Sequence, residues 1–71
     1  MSILLQDTKS LKYINATVGW TQQHREARVF RQGRDALFFC YLTGLPNMIM
    51  LFEFTDRRMN FNFPVTDDLG N

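Results

Sequence analysis

Apolar residues are concentrated in the second half of the chain, between positions 36 and 65. Two turn-like segments divide this stretch into three predicted strands, residues 36–43, 48–55 and 59–65. Side chains of a strand alternate between its two faces, and the third segment alternates most clearly. One of its rows is entirely apolar: Met59, Phe61, Phe63 and Val65. The pattern therefore predicts a C-terminal three-stranded antiparallel meander.

The same alternation predicts the register of the second hairpin. A loop of residues 55–58 has a common hairpin length. The cross-strand pairs that follow are Phe54 with Met59, Phe52 with Phe61, and Met50 with Phe63. A slip by one residue would bury Asn60 and Asn62 in place of the phenylalanines. These pairs are therefore predicted to mark the core face of the sheet.

The first predicted strand, residues 36–43, is apolar in both rows. A four-residue loop before Met48 would turn Leu37, Phe39 and Tyr41 inward, whereas a five-residue loop would turn the other row inward. The four-residue loop is preferred. It leaves an apolar second face that predicts protein-interaction residues: Phe38, Cys40, Leu42, Ile49 and Leu51. The alternative is that the N-terminal segment covers this face as ordinary core.

One helix is predicted over residues 21–34, where Thr21 can cap the first turn and Gly33 can end the last. Val29 and Phe30 would pack it on the core face. The competing interpretation is a strand over residues 25–32. Gln, Glu, Arg and Ala favour the helix.

The flanking segments are less informative. Residues 1–10 form either a short strand or a loose arm, and residues 11–20 form either a strand, which is preferred, or a helix. The tail, residues 66–71, is polar. Residues 1–10 and 66–71 are therefore candidates for flexible ends of a single domain over residues 1–71. The fold class expected is α+β, a small antiparallel sheet of three to four strands packed on one helix.

Composition narrows the functional classes. The 71 residues carry a net charge of +1. This charge is too small to predict nucleic acid or a membrane surface as the binding partner. One cysteine excludes an internal disulfide framework and favours a reducing, cytoplasmic setting. The first residues do not match a signal peptide, and no apolar run has the length of a membrane span.

Six arginines are the strongest polar signal. On a helix, the four that recur every three residues would form a cationic stripe, and two more lie at a hairpin tip. They are the candidate nucleic-acid contacts: Arg25, Arg28, Arg31, Arg34, Arg57 and Arg58. Single-stranded nucleic acid, with exposed aromatic side chains as stacking platforms, is the alternative partner.

Catalytic chemistry is not indicated. His24 and Cys40 are the only residues of their kind. Asp35 could supply a carboxylate to orient a Cys–His pair, but nothing in the sequence fixes the geometry of the three. Neither the ligand spacing of a metal site nor a glycine-rich phosphate loop occurs. No enzyme activity, cofactor, metal or small-molecule substrate is therefore expected.

The helix, glycine cap and meander resemble the layout of many small α+β proteins, including phage-encoded ones, without a shared motif. The expected function is a small non-catalytic interaction module. It would act by stoichiometric binding of a protein partner, or of a second copy, through its apolar sheet face. Adaptors, inhibitors and accessory factors of phages and mobile elements are of this kind.

Overall fold

The N-terminal segment supplies the central strand of the sheet. The computed structural model describes residues 1–56, 58 and 60–65. Along this part of the chain the elements are β1 (Ser2–Asp7), β2 (Tyr13–Ile14), β3 (Trp20–Thr21), a 3₁₀ turn (His24–Glu26), α1 (Gly33–Thr43), β4 (Met48–Glu53) and β5 (Phe61–Pro64). The five strands form one antiparallel sheet in the order β3-β2-β1-β4-β5.

The α+β class is confirmed, with one helix packed on an antiparallel sheet. The sheet has five described strands where three to four were expected, because the N-terminal half contributes β1, β2 and β3. The predicted C-terminal meander is wrong in its first strand. The strand beside the β4–β5 hairpin is β1 instead. It pairs antiparallel with β4, so that Ser2 lies opposite Glu53 and Asp7 lies opposite Met48.

Residues 36–43, predicted as a strand, form most of α1. The helix turns Ala36 and Cys40, one helical turn apart, onto the sheet, and both are buried. These small side chains let the helix approach the sheet closely. Gly44 ends the helix in the left-handed region, at φ 66°, and its N–H donates to the carbonyl of Cys40. A continuous apolar run is therefore helical here.

Residues 21–34, predicted as a helix, are mostly extended. The N–H of Arg28 donates to the carbonyl of Ile14, and the N–H of Phe30 donates to the carbonyl of Ile3. Pairing with the sheet thus outweighs the helix propensity of this segment. Phe30 is buried as expected, whereas Val29 points outward and is exposed.

The register predicted for the second hairpin is confirmed in two of its three pairs. Met50 lies opposite Phe63, and Phe52 lies opposite Phe61. Met59, in the third pair, lies outside the described residues, as do Arg57 and the tail, residues 66–71.

The two faces of the sheet are covered differently. We call the side under α1 the helix face; it carries the core: Ile3, Leu5, Ile14, Phe30, Ala36, Cys40, Met48 and Met50. On β5 this face remains half open, because α1 packs on β1 and β4. The other side, the second face, carries buried Leu4 with half-buried Ile49 and Leu51. Residues 1–10 contribute β1, whereas residues 11–20 contribute only the two-residue β2 and the first residue of β3.

Candidate interaction surface

The outward side of α1 is apolar. Phe38, Tyr41 and Leu42 are 61%, 84% and 66% exposed, while Ala36 and Cys40 of the same helix face the core. A helix on the surface of a monomer ordinarily turns polar residues to water, and a helix that is apolar all round is ordinarily buried. Along the described chain, nothing covers the outward side of α1. The composition of α1 is therefore that of a helix packed on both sides, although only its inner side packs on the sheet.

A groove runs along α1 beside the extended residues 28–31. It has a volume of about 430 Å³, and besides those residues its lining includes Asp35, Phe38, Phe39 and Leu42. We call it the α1 groove. The backbone hydrogen bond from Phe30 to β1 holds residues 28–31 in place. Extended chain alternates its side chains, so Phe30 points into the core and Val29 points away from it.

Arg28 lies over aromatic rings of the α1 groove. The rings of Phe30 and Phe39 meet edge to face at 5.6 Å. The guanidinium carbon of Arg28 is 5.0 Å from the centre of the first ring and 5.4 Å from the centre of the second. Such cation–π contacts contribute about 0.5–1 kcal/mol at exposed sites. The position of this cation is therefore set by packing rather than by a carboxylate.

The groove is positively charged. Between described residues the ion pairs are His24 with Glu53 and Arg58 with Asp56. Arg28 and Arg31 therefore have no carboxylate partner among them. Asp35, in the first turn of α1, suits the positive end of the helix dipole but forms no ion pair with either arginine.

The predicted interaction residues do not share one face. Phe38 and Leu42 are exposed on α1, whereas Cys40 is buried beneath the same helix. Ile49 and Leu51 lie on the second face, on the far side of the sheet from α1. The shared face was predicted from a strand over residues 36–43, and the helix that forms there separates these side chains.

Tyr41 and Val29 are exposed beside these residues, and neither is among the predicted protein-interaction residues. Tyr41 was predicted to point inward and Val29 to pack on the core. Gly44 and the acidic first turn at Asp35 were the available signals, because together they bracket a helix from Gly33 to Thr43.

The arginine stripe is not formed either. Arg28 and Arg31 line the α1 groove, while Arg25 lies on the 3₁₀ turn and Arg34 is exposed on α1. Arg58 donates two side-chain hydrogen bonds to Asp56.

His24 and Cys40 lie on opposite sides of the sheet. The Nε2 atom of His24 is 2.6 Å from Oε1 of Glu53, and its ring meets Tyr13 edge to face at 5.6 Å. Both partners lie on the second face, by their register with Ser2 and Gln6 of β1. Cys40 is in the core, and burial raises the pKa of its thiol. The Cys–His pairing considered from the sequence is therefore not formed.

A second exposed cluster lies on β5. Phe52 and Phe61 stack at 4.8 Å, and Phe63 meets both rings edge to face.

Among the described residues, no three His, Cys, Asp or Glu side chains lie close enough together to hold a metal ion. Of the helices in the described ranges, none has the length and apolar run needed to cross a membrane.

Comparison with known proteins finds no family model, curated protein or solved structure that matches the chain. The function proposed for it therefore depends on its own surface chemistry.

Proposed function

We propose that this chain is a small non-catalytic interaction module that binds another protein stoichiometrically through the outward side of α1 and the α1 groove. The observation that carries this proposal is the exposure of Phe38, Tyr41 and Leu42 on one helix. Isolated exposed apolar residues are ordinary, but a contiguous apolar patch on a small monomer commonly marks a contact surface. Aromatic side chains and arginine are also the residues enriched in the energetic centres of interfaces.

The test replaces Leu42 with glutamine, which removes an apolar contact while keeping helix propensity. Leu11→Gln is the matched control, because Leu11 is 63% exposed, close to the 66% of Leu42, but lies in the loop between β1 and β2. Proteins captured from a lysate of the native host are identified, and each is then purified and titrated against the three forms. A partner that binds one to one, tolerates Leu11→Gln and is lost with Leu42→Gln is the expected result.

Light scattering measures the solution mass of the isolated chain and so tests whether it self-associates. A dimer that Leu42→Gln dissociates would identify the partner as a second copy bound through the same surface. Partners that bind all three forms equally, with a monomeric chain, would overturn the proposal. A cytoplasmic location, expected from the single cysteine, stays a prediction.

Single-stranded nucleic acid is the alternative outcome. Arg28 and Arg31 beside Phe38 combine cations with a stacking surface, the chemistry such proteins use. The net charge of +1 and the scattered positions of the other described arginines favour a protein partner instead. Titration with a labelled oligothymidine at low and at physiological salt tests for the nucleic-acid partner, because phosphate contacts give an affinity that falls steeply as the salt concentration rises.

A further inference from the structure

We propose that the α1 groove recognises an acidic, apolar segment of the partner. A carboxylate would bind Arg28 and Arg31, and a neighbouring apolar side chain would lie between Val29 and Leu42. This inference rests on the proposed function and adds the chemistry of the partner to it.

Within the described part of the chain, the side-chain N–H donors of Arg28 are free to bind a partner, although the side chain packs on aromatic rings of its own chain. The residue is half-buried, and its guanidinium carbon lies over two aromatic rings that hold it in position. A guanidinium group carries five N–H donors in a planar fork that matches a carboxylate. None of the side-chain hydrogen bonds between described residues uses the donors of Arg28 or Arg31. A bound carboxylate would satisfy donors that otherwise face water.

The charge of the groove selects against a second copy. A two-fold interface places the same patch against itself. Each patch has two guanidinium groups, Arg28 and Arg31, and one carboxylate, Asp35, along its lining. Two copies would therefore bring together four cations and two anions, which leaves two cations uncompensated. An acidic partner segment provides the missing negative charge, and charge complementarity of this kind also raises the rate of association.

The shape and lining fit an extended or helical segment with apolar anchors. The volume of about 430 Å³ lies within the range of roughly 300–1,000 Å³ typical of ligand clefts. Its apolar lining comes from Phe38, Phe39 and Leu42 of α1 and from Val29 of the segment before the helix. An amphipathic segment lays its apolar side into such a groove and keeps its charged residues at the rim.

The test is a selection of random 16-residue peptides displayed on phage against the immobilised full chain. Enriched sequences should combine Asp or Glu with Leu, Phe or Trp. Synthetic copies should bind the Arg28→Gln variant about tenfold more weakly, because a hydrogen bond to a charged group is lost. Arg31→Gln, which leaves the ring contacts intact, should also weaken binding. Arg25→Gln, an exposed arginine outside the groove lining, should change affinity by less than about twofold.

The outcomes separate this inference from the proposed function. Peptides that bind in a Leu42-dependent way but lack acidic residues, or that tolerate both Arg28→Gln and Arg31→Gln, would overturn the acidic partner and leave the interaction surface standing. Peptides that bind Leu42→Gln as tightly as wild type would overturn both. A selection without enrichment would overturn the acidic segment alone, because the titrations of wild type, Leu42→Gln and Leu11→Gln against purified partners decide the proposed function separately.

Discussion

Truncation of Leu5 to alanine should remove a large part of the free energy of unfolding. Leu5 is fully buried on the central strand, opposite Met50 and on the helix face. The three carbons removed are worth about 0.8 kcal/mol each in transfer free energy, and the cavity left behind raises the usual cost to about 2–5 kcal/mol. A chain of this length has roughly 4–11 kcal/mol in total, at about 0.05–0.15 kcal/mol per residue.

Leu42→Ala is the control, since it makes the same chemical change on an exposed site of α1. Its effect should stay within about 0.5 kcal/mol. Urea unfolding followed by circular dichroism gives both values, and a loss of about 3 kcal/mol corresponds to a fall of roughly 12–24 °C in melting temperature for a domain of this size. Equal losses from the two variants, or a larger loss from Leu42→Ala, would refute the packing described for α1 and β1.

Three further outcomes follow from local features. Gly44→Ala should cost about 1 kcal/mol in urea unfolding, since φ is 66° and no atom crowds the position; an unchanged midpoint would contradict the left-handed cap. Hydrogen bonds from the Ser10 hydroxyl and the Lys9 N–H lower the pKa of Asp7 below its ordinary 3.8. Wild type should therefore lose stability as pH falls below that value, and more steeply than Asp7→Asn; parallel pH profiles would argue against it. The Cys40 thiol, buried and with a raised pKa, should react with a thiol reagent far more slowly in the folded protein than in urea, and equal rates would show that the site is open.

The hairpin could be predicted because two signals agree. Asparagines alternate with phenylalanines in β5, so a slip by one residue would turn Phe61 and Phe63 away from the side of Met50 and Phe52, and the length of the turn selects among the registers that remain. Their exposure could not be predicted in the same way, because it depends on which strands α1 covers.

The helix was missed because residues 37–42 are all apolar. Such a run has no period, so it fits a strand buried on both faces and a helix that is apolar on all sides equally well. Gly33 and Gly44, which flank the run, mark it as a helix, but Gly33 equally fits the end of the helix predicted upstream. The same ambiguity hid the interaction surface, since Phe38 and Leu42 were predicted to be exposed on a sheet that does not form.

The path of the chain through the sheet has a consequence for folding. Among the described strands β1 comes first, yet its longest partner is β4, and the pair Ser2 and Glu53 closes a loop of more than fifty residues. Contacts this distant in sequence slow folding, because the entropy of closing the loop is lost before the contacts form. Until then, the edge of β1 that β4 covers is open, and Ile3, Leu4 and Leu5 can pair there with other chains. Expression yield should therefore depend more on the sequence of β1 than on that of any loop.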